Sequence, residues 1–259
     1  MGKPKMPAPA IALFPVPGMP LVDAETDLAN VIATALSGAG LQPQTGDVLT
    51  IAQKIVSKAE GCVVDLSKVT PSDAARELAE GSDKDPRLVE LILQESRRVV
   101  RHSAGVIVVE HRLGIILANA GIDRSNVAGD EESVLLLPKD PDASAAELRR
   151  ALEKHFGVHL GIVISDSVGR PWRLGTTGIA IGCSGMTALT DMRGKVDMFG
   201  RVLQVAEVAT ADCVAGAAGL IMGEGAESVP VVLVRGVDAR ASEQTAKTIL
   251  RPEHENLFQ

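Results

Sequence analysis

Three acidic residues of this chain stand where an apolar run gives way to small residues. Asp123 closes the stretch Leu117-Ala-Asn-Ala-Gly-Ile-Asp and is followed by Ser125 and Asn126, Asp166 follows Gly161-Ile-Val-Ile-Ser, and Glu224 follows Leu220-Ile-Met-Gly. Carboxylates and hydroxyls are hard oxygen donors. Cations such as Mg2+ or Mn2+ are commonly held by one or two of them together with substrate phosphates. Taken singly, each position also fits an ordinary polar turn or helix cap, since Gly, Asn, Asp and Ser are the usual residues there. Brought together from distant segments, they would form a divalent-metal site.

Cationic residues recur in similar settings. In Ala52-Gln-Lys-Ile-Val-Ser-Lys-Ala-Glu-Gly61 an apolar strand is expected to deliver Ser57 and Lys58 into a glycine-terminated turn, and Arg170 and Arg173 flank the second carboxylate. Lysine acts on phosphate as a point charge and arginine as a planar fork. Metal, carboxylates and cations together suit phosphoryl transfer, in which catalysis is mostly positioning and neutralisation of charge. The alternative for Lys58 is a surface pair with Glu60, an interaction of little energetic weight. Trp172, between the two arginines, offers an apolar face to a ring or an anionic substrate; the alternative is the packing role that aromatic residues usually take.

Other chemistries lack their signatures. The chain has neither G-x-x-x-x-G-K-[ST] nor a complete G-x-G-x-x-G, Gly223-Glu-Gly225 being the nearest approach, and G-x-S-x-G and H-E-x-x-H are also missing. A net charge of −7 without a long basic run argues against a general grip on nucleic acid. Cys62, Cys183 and Cys213 are odd in number and far apart, so neither a disulfide framework nor a zinc site is expected, and a reducing cytoplasm is the natural setting. The proline-interrupted N-terminus reads as neither a signal peptide nor a membrane span.

The elements that must carry these groups follow from periodicity. Apolar runs rich in Val and Ile predict strands over Val48–Ile55, Gly105–Val109, Gly114–Ala118, Val134–Leu137, Leu160–Ile164, Val202–Val208 and Val229–Val234. Spacings of three and four predict helices over Asp27–Leu36, Ser72–Leu78, Pro86–Arg101, Ala143–Phe156 and Thr210–Met222, with Pro86 in a first turn and Asp142 or Ser144 as a cap. Several strands succeed one another without a helix between them, which favours an α+β class of mixed sheets with flanking helices over a doubly wound parallel sheet. No repeat or linker interrupts the 259 residues; a single domain over 10–259, preceded by a flexible segment 1–9, is expected.

Six blocks, GDVLTIAQKIVSKAEG (Gly46–Gly61), DPRLVELILQES (Asp85–Ser96), NAGIDRSNV (Asn119–Val127), LLPKDPDASA (Leu136–Ala145), ISDSVGRPWR (Ile164–Arg173) and PVVLVRG (Pro230–Gly236), resemble the coenzyme F420-0:γ-glutamyl ligases in sequence and in order. The resemblance spans Phe14 to Arg251. It implies that family's α+β fold and an enzyme that uses GTP to join L-glutamate, by an amide bond, to the lactyl carboxylate of the deazaflavin phosphodiester coenzyme F420-0, through an acyl phosphate. Further γ-linked glutamates are left open. It also implies that Asp123 and Asp166 hold one divalent ion, Mg2+ or Mn2+, that Ser167 and Glu224 contact a second, that K+ accompanies them, and that Lys58, Asp123 and Asp166 are catalytic. By the same resemblance Met19, Pro20, Leu21, Val22, Gln53, Lys54, Lys58, Asn126, Met222, Gly223, Glu224 and Gly225 surround the nucleotide and the protein is a homodimer; cysteine usage, charge and the N-terminus add the expectation of a cytoplasmic protein without nucleic-acid or membrane partners.

The sequence departs from the family pattern at a few places. Ser167 stands for a usual Thr, Glu224 for a frequent Gln, Glu25-Thr26-Asp27 for Gly-Asp-Asp, Thr176 for Gln and Cys213 for Glu. These touch details of nucleotide and substrate contact, not the reaction class. Two other classes compete: a metal-dependent hydrolase of nucleotides or phosphoesters, which needs no glutamate, and a non-catalytic nucleotide-binding module.

Overall fold

The computed structural model describes residues 10–126, 132–238 and 240–256. The expected flexible segment 1–9 lies outside them. Among the described residues twelve strands run in chain order: β1 Ala12–Pro15, β2 Val48–Ala52, β3 Val63–Asp65, β4 Ser96–Ser103, β5 Val106–His111, β6 Ile116–Ala118, β7 Ser133–Leu135, β8 Gly161–Arg170, β9 Arg173–Ser184, β10 Leu189–Asp191, β11 Glu207–Ala209 and β12 Val231–Arg235. The α-helices of the same residues are α1 Leu28–Gly38, α2 Gln53–Ala59, α3 Asp73–Ser82, α4 Pro86–Gln94, α5 Pro141–Phe156 and α6 Thr210–Met222.

The main sheet has the order β1-β12-β2-β8-β9, and only its β2–β8 pair is parallel. The first four residues of β2 and β12 and the first five of β8 are buried, as expected of unbroken Val/Ile/Leu runs covered on both faces. Leu49, Ile51, Ile162, Ile164 and Leu233 pack with α1 and α5 on one face, while Val163, Val232 and Val234 pack with α6 on the other. A three-stranded sheet β4-β5-β6 packs with α3 and α4, and β3-β7 and β10-β11 form two-stranded ribbons. The class is α+β. Among the described residues no helix is long and apolar enough to cross a membrane.

Several expected boundaries shift. The strand expected over Val48–Ile55 ends at Ala52, and Gln53–Ala59 is helical, so Ser57 and Lys58 ride on α2 and not on a strand entering a turn. The helix expected over Pro86–Arg101 ends at Gln94; Ser96–Ser103 pairs with β5. The strand expected over Leu160–Ile164 runs on to Arg170, placing Asp166 inside β8. Over the expected Val202–Val208 strand only Glu207 and Val208 fall in β11, whereas Val202 bridges Val196. Pro86 does occupy the first turn of α4. The cap of α5 is Asp140, which accepts Ala143 N–H; Asp142, expected there, is buried and accepts the N–H groups of Cys183 and Ala246 at 2.9 Å each.

The long strand β9 carries no strong apolar alternation in the sequence. Gly178 and Gly182 of this strand are required by close approach: a Cβ on Gly178 would lie 2.5 Å from the Ala215 carbonyl oxygen of α6. That contact seats α6 on the β8–β9 pair and fixes where the residues after Met222 emerge.

Candidate active site

Several of the expected site residues come together where α2, β8, the loop after β6 and the turn after α6 meet. α2 leaves β2 directly, so Lys54 and Lys58, four residues apart, lie along one face of a short helix. Lys54 Nζ sits 2.6 Å from Asp123 Oδ2 and donates to Ser125 Oγ at 2.7 Å. Lys58 Nζ donates to the Asn126 carbonyl at 2.6 Å, and Asn126 Nδ2 donates to the Gly225 carbonyl at 3.4 Å. Thr176 Oγ1, on β9, donates to Glu224 at 3.1 Å. A chain of polar contacts therefore ties α2 to the 119–126 loop and that loop to the Gly223–Gly225 turn.

The backbone at these positions is unusual. Asn119, Ala120 and Asn126 have positive φ, as does Gly223 at 68°, and left-handed non-glycine residues cluster at sites where the surroundings over-determine them. Asn119 Oδ1 accepts Ile107 N–H at 3.1 Å, and Asp123 exchanges backbone hydrogen bonds with Leu135 of β7. The polar residues after β6 thus divide into two groups: Asn119 anchors the loop, and Asp123, Ser125 and Asn126 present groups to the α2 lysines.

Electrostatics bind the carboxylates into one field. Burial pushes the Asp166 carboxyl up to about 7, a backbone hydrogen bond opposes that, and the charges of Asp123 and Glu224 raise it while Lys54 lowers it. For Asp123 burial also resists ionisation, but hydrogen bonds from Lys54 and Ser125 outweigh it and hold the carboxyl below its ordinary value. Burial, reinforced by the nearby Lys54, lowers Lys58.

Strand alternation sorts the remaining donors. Ser165 Oγ lies 3.8 Å from Met222 Sδ of α6, and Gly178, paired with Ser167, abuts Ala215. Ser167 therefore belongs to the α6 face, where Glu224 emerges. Asp166 is paired with Ile179, which packs on the opposite face with the cluster that includes Ile55 and Val56 of α2.

A divalent cation fits this donor set in a particular way. Among the described residues no group of three or more His, Cys, Asp or Glu side chains is assembled to hold a metal ion. What exists is the Asp123 carboxylate with the Lys54 ammonium as its positive charge, and the Asp166 carboxyl within the field of Asp123 and Glu224. A divalent cation held by so few protein oxygens would need substrate phosphate oxygens to complete its shell.

Not every expected residue points inward. Gln53 is only 2% exposed and accepts the Ser57 hydroxyl at 2.9 Å, so its side chain is a brace within α2. Glu60, expected as the alternative partner of Lys58, instead accepts from Ser144 Oγ and Lys139 N–H, tying the end of α2 to the start of α5. In the Met19–Val22 loop, Met19 and Val22 pack on the core while Leu21 is exposed; Ala24, just beyond, lies beside Gly61. Trp172 is 85% exposed, contrary to a packing role. Sequence reasoning missed Thr176 as a partner of Glu224, because β9 gave no strand signal.

Comparison with known proteins agrees with the block resemblance. The family profile described as F420-0:gamma-glutamyl ligase matches residues 18–236. The chain is 44% identical over 250 residues to the coenzyme F420:L-glutamate ligase of Methanothermobacter thermautotrophicus, covering 96% of this chain and 98% of that relative. It is 43% identical over 215 residues to the protein of the same name from Methanocaldococcus jannaschii, covering 83% and 85%, and 42% identical over 254 residues to that from Methanopyrus kandleri, covering 96% and 98%. With two cationic side chains, paired carboxylates and a glycine turn drawn to one place, and this similarity along nearly its whole length, the chain belongs to the F420-0:γ-glutamyl ligase family.

Proposed function

We propose that the protein is a GTP-dependent ligase that joins L-glutamate through an amide bond to the lactyl carboxylate of coenzyme F420-0. The observation that carries this reading is the convergence of Lys54 and Lys58 with Asp123, Asp166 and the Gly223–Gly225 turn, an arrangement suited to a triphosphate and to little else in the chain. Lys54 and Lys58 neutralise phosphate oxygens, and Asn126, held by Gly225 and Lys58, positions the nucleotide.

The terminal phosphoryl group passes from GTP to a carboxylate oxygen of F420-0; the bond to the bridging oxygen breaks and GDP leaves. The amine of glutamate then attacks the acyl carbon, loses its proton, and expels inorganic phosphate. Asp123 with Asp166, and Ser167 with Glu224, would hold two divalent ions, Mg2+ or Mn2+, with K+ as the accompanying monovalent cation. Their contribution when bound is neutralisation of the charge on the triphosphate tail.

The working form is a homodimer. The β10–β11 ribbon supports this, since its tip exposes Met198 at 89%, Phe199 at 78% and Val205 at 86%, an apolar patch of the kind that marks a protein contact.

The deciding assay combines the protein with GTP, L-glutamate, F420-0 and Mg2+ or Mn2+ and follows product mass. A product heavier by one glutamyl unit is expected, and no phosphate release when glutamate is withheld. Absence of the adduct across metals and nucleotides ends the ligase reading; glutamate-independent phosphate release favours a hydrolase.

A further inference from the structure

The tip of the β8–β9 hairpin is built against ordinary preferences. Arg170-Pro-Trp-Arg173 closes it, with Arg170 opposite Arg173 in register. A proline followed by a left-handed residue fits a type II turn, whose third position glycine usually fills. Here that residue is Trp172, at φ 58°. The register slips between Gly169 and Arg170, leaving Leu174 and Gly175 as extra residues on β9, and bulges of this kind re-aim side chains next to active sites. Trp172 and Leu174 are 85% and 99% exposed.

At the same tip Arg170 buries its Nη1, and among the described residues no acceptor meets it. A buried guanidinium N–H without a partner carries a desolvation cost that an anion would remove. Backbone strain under a bulky residue, an exposed indole and an orphaned cationic nitrogen coincide on one four-residue turn, beyond the strand position of Asp166.

Resting on the ligase reading above, we propose that this tip is the acceptor-recognition arm. Trp172 stacks on the planar deazaflavin ring of F420-0, Arg170 and Arg173 hold its phosphodiester, and the lactyl carboxylate reaches back toward Asp166. From Asp166 to Arg170 the strand advances four residues, roughly 13 Å at about 3.3 Å each, a span of the same order as a polyol phosphodiester set between a carboxylate and a ring. The nucleotide groups come from α2, the 119–126 loop and the turn after α6, whereas the tip is the turn between β8 and β9.

Trp172 is the one tryptophan of the chain, so its emission reports this turn alone. Titration of the unaltered protein with F420-0, in the absence of GTP, is expected to quench that emission saturably. Trp172→Ala is expected to raise the KM for F420-0 about 10-fold, the effect of losing one stacked base, with the KM values for GTP and glutamate unchanged, and Trp172→Phe to restore most of the affinity. Trp172→Gly suits the left-handed φ and is expected to melt no lower than the unaltered protein while losing acceptor affinity, which separates recognition from folding. Arg170→Ala is expected to raise the same KM. Unchanged acceptor KM in both alanine variants overturns the inference while leaving ligase turnover of the unaltered enzyme intact. A rise in the KM for GTP in place of F420-0 assigns the stacked ring to the nucleobase and also overturns it. Should the unaltered protein form no glutamyl adduct, the ligase reading fails, and the fluorescence titration still decides whether a deazaflavin phosphodiester binds here.

Discussion

Lys54 and Asp123 meet at 2.6 Å although one lies on the helix after β2 and the other beyond the β4-β5-β6 sheet. The pair is partly exposed, 28% for each side chain, so its worth to stability is about 0–1 kcal/mol. Its importance lies in holding an ammonium where the nucleotide phosphates and their cation are proposed to sit.

Asp123→Asn is therefore expected to abolish glutamyl-adduct formation, by at least about 100-fold for loss of a charged group that acts on the transferring phosphoryl, with a melting temperature close to that of the unaltered protein. Mass spectrometry of the product and a thermal melt check both halves. A variant that retains full turnover removes Asp123 from the site.

Asp166 links function to stability with a definite sign. Its carboxyl is pushed up from an ordinary 3.8 to about 7 in the folded chain. Between those values the folded protein keeps a proton that the unfolded chain has lost, so the stability of the metal-free protein falls as pH rises across that window and levels off above about 7. Asp166→Asn removes the penalty. At pH 8 the metal-free variant is expected to melt higher by about 2–4 °C, on the order of 1 kcal/mol for a chain of this size, while losing ligation; near pH 4 the two melts converge. Identical melting temperatures at pH 8 contradict the buried, charge-crowded setting described for this side chain.

The approach of α6 to β9 gives a test of positioning. Gly178→Val drives a side chain into the Ala215 carbonyl and must push α6 outward. A loss of about 1–3 kcal/mol is expected from overpacking, together with a fall in kcat, because Glu224 leaves Thr176. Denaturant melts and steady-state rates measure the two; a variant as stable and as fast as the unaltered protein would mean that this contact does not set the geometry.

The exposed ribbon tip bears on assembly. Replacing Met198 and Phe199 by serine is expected to convert a dimer to monomers in light scattering, since these side chains supply much of the exposed apolar surface of the ribbon. An unchanged molar mass assigns the interface to another surface.

Much of the fold was legible in the sequence because burial on both faces writes unbroken apolar runs: β2, β8 and β12 announce themselves, and the spacings of α1, α5 and α6 do the same for helices. The errors fall where one apolar pattern serves two states. Ile51 and Ile55 read as one strand, yet no glycine or proline marks the switch at Gln53, where the chain turns helical and packs Ile55 and Val56 on the core. Val99 continues the spacing of α4, but pairing with Val109 makes its segment a strand. In β9 the glycines that weaken strand propensity are the residues that let α6 and α5 approach.

The sequence by itself determined the α+β class, the family, and which residue types stand ready for phosphate chemistry, because composition and block order are local properties of the chain. Only the tertiary structure decided that Lys54 answers Asp123, that Thr176 answers Glu224, that Gln53 is buried, and that adjacent Asp166 and Ser167 serve opposite faces of the sheet. Those relations depend on strand register and on the seating of helices, which are fixed by packing between segments far apart in sequence and leave no mark on any one of them.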